Sequence, residues 1–179
     1  GVTNTDNRPC TTSITGCTNE GKVESIAKGN HTYTAGICII YNGSNGSTYA
    51  DELIINNCVN NGEIEGDTVA GIIGNSSGNL KLSDCENNGA INGRYSAGGI
   101  AQCIENKNSN EAEVSNCINN GNVFGGTEAA GIIDYAEGIT VTNCINNGNI
   151  SSNGYVGGIF SYTSSVKGTG LVNNGKISG

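Results

Sequence analysis

The chain has 179 residues, with 29 Gly, 29 Asn, one Pro, two Phe and neither Trp nor Met. This composition favours tight turns and excludes a conventional globule with a bulky core. The net charge is −8 and the 8 basic residues are scattered, which disfavours nucleic acid and anionic membranes as partners because both bind positive faces. No apolar run approaches the roughly 18 residues of a membrane span, so we expect no membrane-spanning segment.

A seven-residue phrase recurs six times and organises the chain. Each copy has Asn at its third place, Gly at its fifth and Val or Ile at its seventh. The copies begin at Cys17, Cys58, Cys85, Cys117, Cys144 and Leu171. They are separated by 41, 27, 32, 27 and 27 residues, so the unit has 27 residues and two units carry insertions. A fixed period predicts a repeat fold in which each unit buries its apolar face against its neighbours.

The period also predicts how the chain is divided. We expect residues 1–16 to be a lead-in or part coil, and residues 171–179 to be a partial last coil. Between them, residues 17–170 are expected to form five coils that start at residues 17, 58, 85, 117 and 144. The insertions, at 41–49 and near 106–110, are expected to be surface loops, where repeat proteins usually carry binding roles.

Each unit predicts three short strands. The first follows the phrase, as at 63–66, and the second contains an Ala-Gly-Ile-Ile stretch, as at 70–73. The third leads into the next Cys with apolar residues five and three places before it, as at Leu53 and Ile55. Three strands and three turns in 27 residues predict an all-β fold, a parallel β-helix (β-solenoid) of about five to six coils.

Parallel stacking places each residue about 4.8 Å from its equivalent in the next coil, so positions one period apart become physical columns. The lead position is never polar, and we expect it to point inward. The Asn at the third place predicts a stacked amide ladder at a turn. The Gly at the fifth place is expected to have positive φ. The ladder residues are Asn19, Asn60, Asn87, Asn119, Asn146 and Asn173.

One stretch also carries a family resemblance. The segment Asn143-Cys-Ile-Asn-Asn-Gly-Asn-Ile-Ser-Ser-Asn-Gly-Tyr-Val-Gly-Gly-Ile-Phe160 resembles the GLUG-type repeat, and the similarity extends over residues 14–179. The resemblance implies a right-handed β-helical stalk in secreted or cell-surface, adhesin-like proteins rather than a catalyst. The Cys column departs from that family, which often has Ser or another small residue there.

The eight cysteines allow three interpretations. The five lead cysteines could be space-filling thiols, disulfides between coils or metal ligands. The pattern favours thiols, because zinc sites use Cys pairs two to four residues apart and this chain has none. We therefore expect no metal and no other cofactor. Cys10, Cys38 and Cys103 lie outside the column, and a Cys10–Cys38 disulfide would pin the first coil in an oxidising compartment.

Two sets of residues suggest sugar chemistry. Sequons predict glycosylation at Asn30, Asn42, Asn45, Asn75 and Asn149, although a chain this rich in Asn, Ser and Thr contains such triplets by chance. Tyr33, Tyr41 and Tyr49 lie in or near the first insertion, where aromatic rings could contact surface glycans.

Acidic residues on one predicted strand face suggest catalysis only weakly. Glu24 and Glu65 share a column and are expected about 5 Å apart, the spacing of a retaining glycosidase pair, with Glu63 two places before Glu65 on the same face. Lys22 offsets their charge, which favours an exposed strand face. We therefore expect no enzymatic activity.

The ends of the array lead to the functional hypothesis. Terminal coils of a solenoid expose unpaired strand edges, and neither terminus here resembles a helical cap. Residues 171–179 together with residues 1–16 of another copy span nearly one unit. We expect an extracellular, non-catalytic subunit that stacks head to tail on itself, or on flanking repeats, into a filament or surface stalk. The rival hypothesis is an adhesive or carbohydrate-binding module that acts through the first insertion.

Overall fold

The computed structural model describes residues 11–26, 32–39, 52–106 and 112–179. These residues form an all-β parallel solenoid without helices in the described ranges, which confirms the predicted fold class. About four turns are complete, in the sense that each contributes to all four sheets, and partial turns flank them. The number of turns is therefore slightly lower than the five to six predicted. Both insertions fall largely outside the described residues.

Sheets A and B contain one strand from each turn. Sheet A contains β1 (Thr11–Thr15), β5 (Glu52–Asn56), β9 (Asn79–Ser83), β13 (Ala112–Ser115), β18 (Ile139–Thr142) and β23 (Lys167–Thr169). Sheet B contains β2 (Thr18–Asn19), β6 (Val59–Asn60), β10 (Glu86–Asn87), β14 (Ile118–Asn119), β19 (Ile145–Asn146) and β24 (Val172–Asn173).

Sheets C and D complete each turn. Sheet C contains β3 (Val23–Glu24), β4 (Tyr33–Ala35), β7 (Ile64–Ala70), β11 (Ile91–Gly98), β15 (Val123–Gly125), β16 (Glu128–Ala130), β20 (Ile150–Ser152), β21 (Tyr155–Gly157) and β25 (Ile177–Ser178). Sheet D contains β8 (Ile73–Ser77), β12 (Ala101–Glu105), β17 (Ile133–Glu137) and β22 (Phe160–Ser164).

Each complete turn therefore crosses four sheets rather than the three strands predicted. The additional strand in each turn is the two-residue strand of sheet B, which directly follows the lead Cys. A strand of two residues shows no alternation of apolar and polar residues, so periodicity cannot reveal it. The Ala-Gly-Ile-Ile stretch is not one strand: β7 ends at Ala70 and β8 begins at Ile73, so Gly71 and Ile72 form the corner between sheets C and D.

The strands pair in the register that the repeat dictates. Leu53 pairs with Leu80, and Ile55 pairs with Leu82, one period further along the chain. Identical or similar side chains consequently stack along the solenoid axis. The apolar residues before each buried lead Cys, such as Leu53 and Ile55, are at most 2% exposed and form one core cluster with Cys58, Cys85, Cys117 and Cys144. A second cluster lies inside sheet C and includes Ile64, Ile91 and Val123.

The position with left-handed backbone is not the one predicted. The residue immediately before each lead position has φ between 52° and 66°; these residues are Gly16, Asn57, Asp84, Asn116, Asn143 and Gly170. Gly, Asn and Asp adopt this conformation at low cost, which explains their use there. The Gly at the fifth place serves another purpose. A Cβ at Gly89 would collide with the carbonyl oxygen of Gly62 in the preceding turn, so only Gly allows this close stacking.

Candidate functional site

An amide ladder runs through the interior of the solenoid. Asn87 Nδ2 donates to Asn119 Oδ1 at 2.7 Å, and the same nitrogen donates to the carbonyl oxygen of Gly89 at 2.9 Å. The link repeats at 2.7 Å from Asn19 to Asn60, Asn60 to Asn87, Asn119 to Asn146 and Asn146 to Asn173. In the complete turns these residues are fully buried within sheet B. Every link has the same polarity, because each amide donates to the following turn.

The ladder ends at the last turn with an unused hydrogen-bond donor. Asn173 Nδ2 donates to the carbonyl oxygen of Gly175 at 2.9 Å, which uses only one of its two hydrogens. Strands β23, β24 and β25 each pair on one side only among the described residues. Val172 and Ile177 are 42% and 49% exposed there. We call the surface formed by these three strands the trailing face.

The opposite end offers a matching acceptor. Asn19 Oδ1 is contacted only by the backbone N–H of Gly21, at 3.3 Å, among the described hydrogen bonds. A Cβ at Gly21 would meet nothing within 4 Å, whereas a Cβ at the equivalent Gly62 would strike Gly21 itself. Gly21 therefore borders the surface on which a preceding turn would lie. We call the surface formed by β1, β2 and β3 the leading face.

The lead cysteines are interior thiols. Cys58, Cys85, Cys117 and Cys144 are at most 1% exposed, while Cys17 lies exposed at the leading face. Leu171 takes the same place at the trailing face and packs against the core. Each buried thiol lies near the carbonyl oxygen two residues earlier, as from Cys85 Sγ to Ser83 O at 3.2 Å. These cysteines, and Cys38, are not joined in disulfides.

The predicted Cys10–Cys38 disulfide lies partly outside the described residues. Cys38 is half-buried, and burial raises the pKa of its thiol to about 12. Cys38 is a free thiol in the structure, and its proposed partner Cys10 is not among the described residues. No three His, Cys, Asp or Glu side chains are grouped so as to hold a metal ion within the described ranges.

Only some of the residues predicted to be glycosylated or to contact glycans lie within the described ranges. Asn30, Asn42, Asn45, Tyr41 and Tyr49 lie outside the described residues. Two other sequons are described. Asn75 in β8 is 9% exposed, which leaves a glycan little access. Asn149 is exposed, and its Oδ1 accepts a hydrogen bond from the Lys176 backbone N–H at 3.0 Å. Tyr33 is half-buried at the start of β4.

The acidic strand face is an exposed ion-pair cluster. Lys22 Nζ lies 2.7 Å from Glu65 Oε2 and 3.5 Å from Glu24 Oε2. The hydrogen bond from Lys22 lowers the pKa of Glu65. All three side chains are at least 39% exposed. Solvent screening makes such pairs weak, so this cluster is a solvated strand face.

The structure reveals a groove that the sequence analysis missed. It follows the corner between sheets C and D near the last turns, has a volume of about 280 Å³, and is lined by Glu128, Tyr135, Tyr155, Ser161 and Tyr162. The rings of Tyr135 and Tyr162 stack with centroids 4.9 Å apart and planes within 8°. The separation of Tyr135 and Tyr162 by one 27-residue period could have indicated this pair from the sequence. Tyr155 belongs to another column, and it faces the pair only because the chain turns at the corner.

A buried carboxyl group lies beneath this groove. Asp134 is fully buried, and its carboxylate accepts from Ser161 Oγ and, at 3.3 Å, from Gln102 Nε2. The pKa of Asp134 is raised to about 6, mainly by burial and in part by the charge of Glu128, while the hydrogen bonds from Ser161 and Gln102 oppose the shift. Gln102 Oε1 is buried without a hydrogen-bond partner.

Comparison with known proteins leaves the repeat pattern and the geometry as the basis for assigning function. The chain matches no family model, no curated protein and no solved structure. No helix in the described ranges is long and apolar enough to cross a membrane.

Proposed function

We propose that this chain is a non-catalytic, extracellular structural subunit whose trailing face stacks on the leading face of another copy. The observation that carries the proposal is the polarity of the buried ladder. Asn173 has a free N–H at one face and Asn19 has an available Oδ1 at the other. Stacking two copies in register joins these groups in the same 2.7 Å link that connects successive turns.

The backbone edges support the same contact. Stacking places β1 on β23, β2 on β24 and β3 on β25, which continues sheets A, B and C in the parallel order already present. Unpaired strand edges favour pairing of this kind. The contact joins two different surfaces of the same chain, and it produces an open filament when the rotation between copies does not close a ring. In a longer chain, flanking repeats would supply the same turn and the array would form part of a surface stalk.

The extracellular location and the GLUG-type assignment belong to this proposal. Both rest on the phrase at residues 143–160 and on the parallel solenoid that it predicts.

Gly21 provides the sharpest test. A methyl group there meets no atom of the described residues within 4 Å. At the equivalent Gly175 a Cβ would collide with the carbonyl oxygen of Gly148 one turn earlier, so in a stacked copy the methyl group at residue 21 would collide with the carbonyl oxygen of Gly175. Gly21→Ala should therefore leave the fold intact and block assembly. We expect fibres of the unmodified chain by negative-stain electron microscopy, and monomers of G21A with an unchanged circular dichroism spectrum.

The control variant is Phe124→Ala, which alters a side chain that is 41% exposed on β15, a strand paired on both sides and separated from β25 by β20. F124A should form fibres as the unmodified chain does. The proposal fails if the unmodified chain stays monomeric at high concentration, or if G21A forms the same fibres.

A further inference from the structure

The groove between sheets C and D carries chemistry that stacking does not use. One wall is Tyr155, which is 72% exposed on β21. The other wall is the Tyr135–Tyr162 pair on sheet D, where Tyr162 is 54% exposed. Exposed aromatic rings on both sides of a concave surface are typical of small-molecule sites.

The walls are fixed in place by the solenoid. Tyr135 and Tyr162 occupy paired positions of β17 and β22, so their stacking follows from strand register. The Tyr135 hydroxyl donates to Glu137 Oε2 at 3.0 Å, which also fixes the direction of the ring. Tyr155 pairs with Glu128 on the neighbouring strand of sheet C. A preorganised site of this kind loses little side-chain entropy when a ligand binds.

Apart from the tyrosine hydroxyls, which can donate or accept, the polar groups of the groove are hydrogen-bond acceptors. Glu128 lines it with a carboxylate. Ser161 Oγ lies 2.7 Å from the Asp134 carbonyl oxygen and also donates to the Asp134 carboxylate, so its hydrogen is occupied and the hydroxyl can only accept from a ligand. The groove therefore matches a ligand that donates hydrogen bonds and has a flat apolar face.

We propose that this groove binds a neutral sugar ring of a glycan. A pyranose presents a flat face of C–H groups to the tyrosines and several O–H donors to Glu128 and Ser161. The volume of about 280 Å³ lies at the lower limit of small-molecule sites, which suits a ligand about the size of a single ring. Anionic sugars are excluded because Glu128 would repel them, and the net charge of −8 adds to that repulsion.

The site differs from the predicted aromatic loop. It uses residues of the last complete turns rather than Tyr41 and Tyr49, and its Tyr155 and Tyr162 lie on β21 and β22, the last strands of sheets C and D beside the trailing face. None of the groove residues belongs to β23, β24 or β25, so sugar binding and assembly use different residues, and each can be tested with variants that leave the other's residues unchanged.

The test is binding of the purified chain to an array of neutral, sialylated and uronic-acid glycans, followed by titration calorimetry with the best neutral oligosaccharide. We expect binding to neutral glycans only. Tyr155→Ala and Tyr162→Ala should each weaken it at least about 10-fold, because each removes an aromatic ring that forms a wall of the groove, and truncated tyrosine anchors are among the costliest losses at binding sites. Tyr155→Phe keeps the ring and should retain binding.

Phe124→Ala is the matched control, since it removes an exposed aromatic ring of sheet C that does not line the groove. The proposal is overturned if no neutral glycan binds, if anionic glycans bind better, or if F124A loses as much affinity as Y155A. Binding of choline without binding of any sugar would also overturn it, because an aromatic site with a carboxylate can instead select a quaternary ammonium group.

Discussion

Gly99 packs directly against the side-chain amide of Asn119 in the next turn. A Cβ at Gly99 would lie 2.6 Å from Asn119 Cγ, closer than real Cβ contacts allow. The same pairing recurs at Gly36 and Asn60, Gly71 and Asn87, Gly131 and Asn146, and Gly158 and Asn173. The two phrases of the repeat therefore meet inside the solenoid, where the Gly of one makes room for the Asn of the other.

The first prediction compares two glycines at the same place in the phrase. Gly89→Ala should destabilise the fold by about 3 kcal/mol or prevent folding, because the new methyl group strikes the backbone of Gly62 and the turns must separate. Gly21→Ala, which meets nothing within 4 Å, should change the free energy of unfolding by less than about 0.5 kcal/mol. Urea denaturation of both variants measures the difference. Equal losses would mean that stacking between turns is not the cause.

The second prediction separates the buried ladder from a parallel one at the surface. Asn119→Ala leaves the Asn87 donor and the Asn146 acceptor buried without their partner, which should cost about 2–4 kcal/mol. Asn120 forms the same type of link, to Asn88 at 2.8 Å, but it is exposed. Asn120→Ala should therefore cost under about 1 kcal/mol, because water replaces the lost bonds. Comparable losses for the two variants would contradict this account.

The third prediction concerns pH. Because the pKa of Asp134 is raised from its usual 3.8 to about 6, the folded chain binds this proton more tightly than the unfolded chain does. The stabilisation that this proton provides is complete below the unfolded pKa and is lost as pH rises through about 6. Asp134→Asn stays neutral at every pH, so it should be more stable than the parent chain by up to about 3 kcal/mol near pH 7.5.

Gln102 makes this substitution compatible with the site. If its amide turns over, the unpartnered Oε1 can accept from the side-chain amide that the substitution introduces. Urea denaturation at several pH values should show the advantage of D134N shrinking as the pH falls to about 4. A difference that does not vary with pH would show that Asp134 is not the responsible group.

The fourth prediction tests the charges across the proposed junction. Lys176 and Lys22 hold the same place in the repeat, so head-to-tail stacking places these two positively charged side chains in one column, one turn apart. Like charges at such positions are destabilising, and salt screens them. Raising the salt concentration should therefore increase fibre formation, as measured by light scattering. Lys176→Glu should assemble at lower salt than the parent chain, and weaker assembly of K176E would argue against this register.

The repeat pattern by itself predicted the parallel stack and the inward direction of Leu53, Ile55 and the lead cysteines. It did so because most stabilising contacts in a solenoid join residues one period apart, so aligning the sequence with itself identifies those contacts. The Asn ladder follows for the same reason, since stacked amides one period apart lie close enough to hydrogen-bond between successive turns.

Only the tertiary structure decided where the chain turns and what meets across a corner. Left-handed backbone falls at Asn57 rather than at Gly62, because the direction of a turn depends on local backbone angles that a spacing of 27 residues does not encode. The groove, too, could be found only from the tertiary structure. Tyr155 and Tyr162 lie in different columns, and they come together because the angle between sheets C and D folds one surface toward the other.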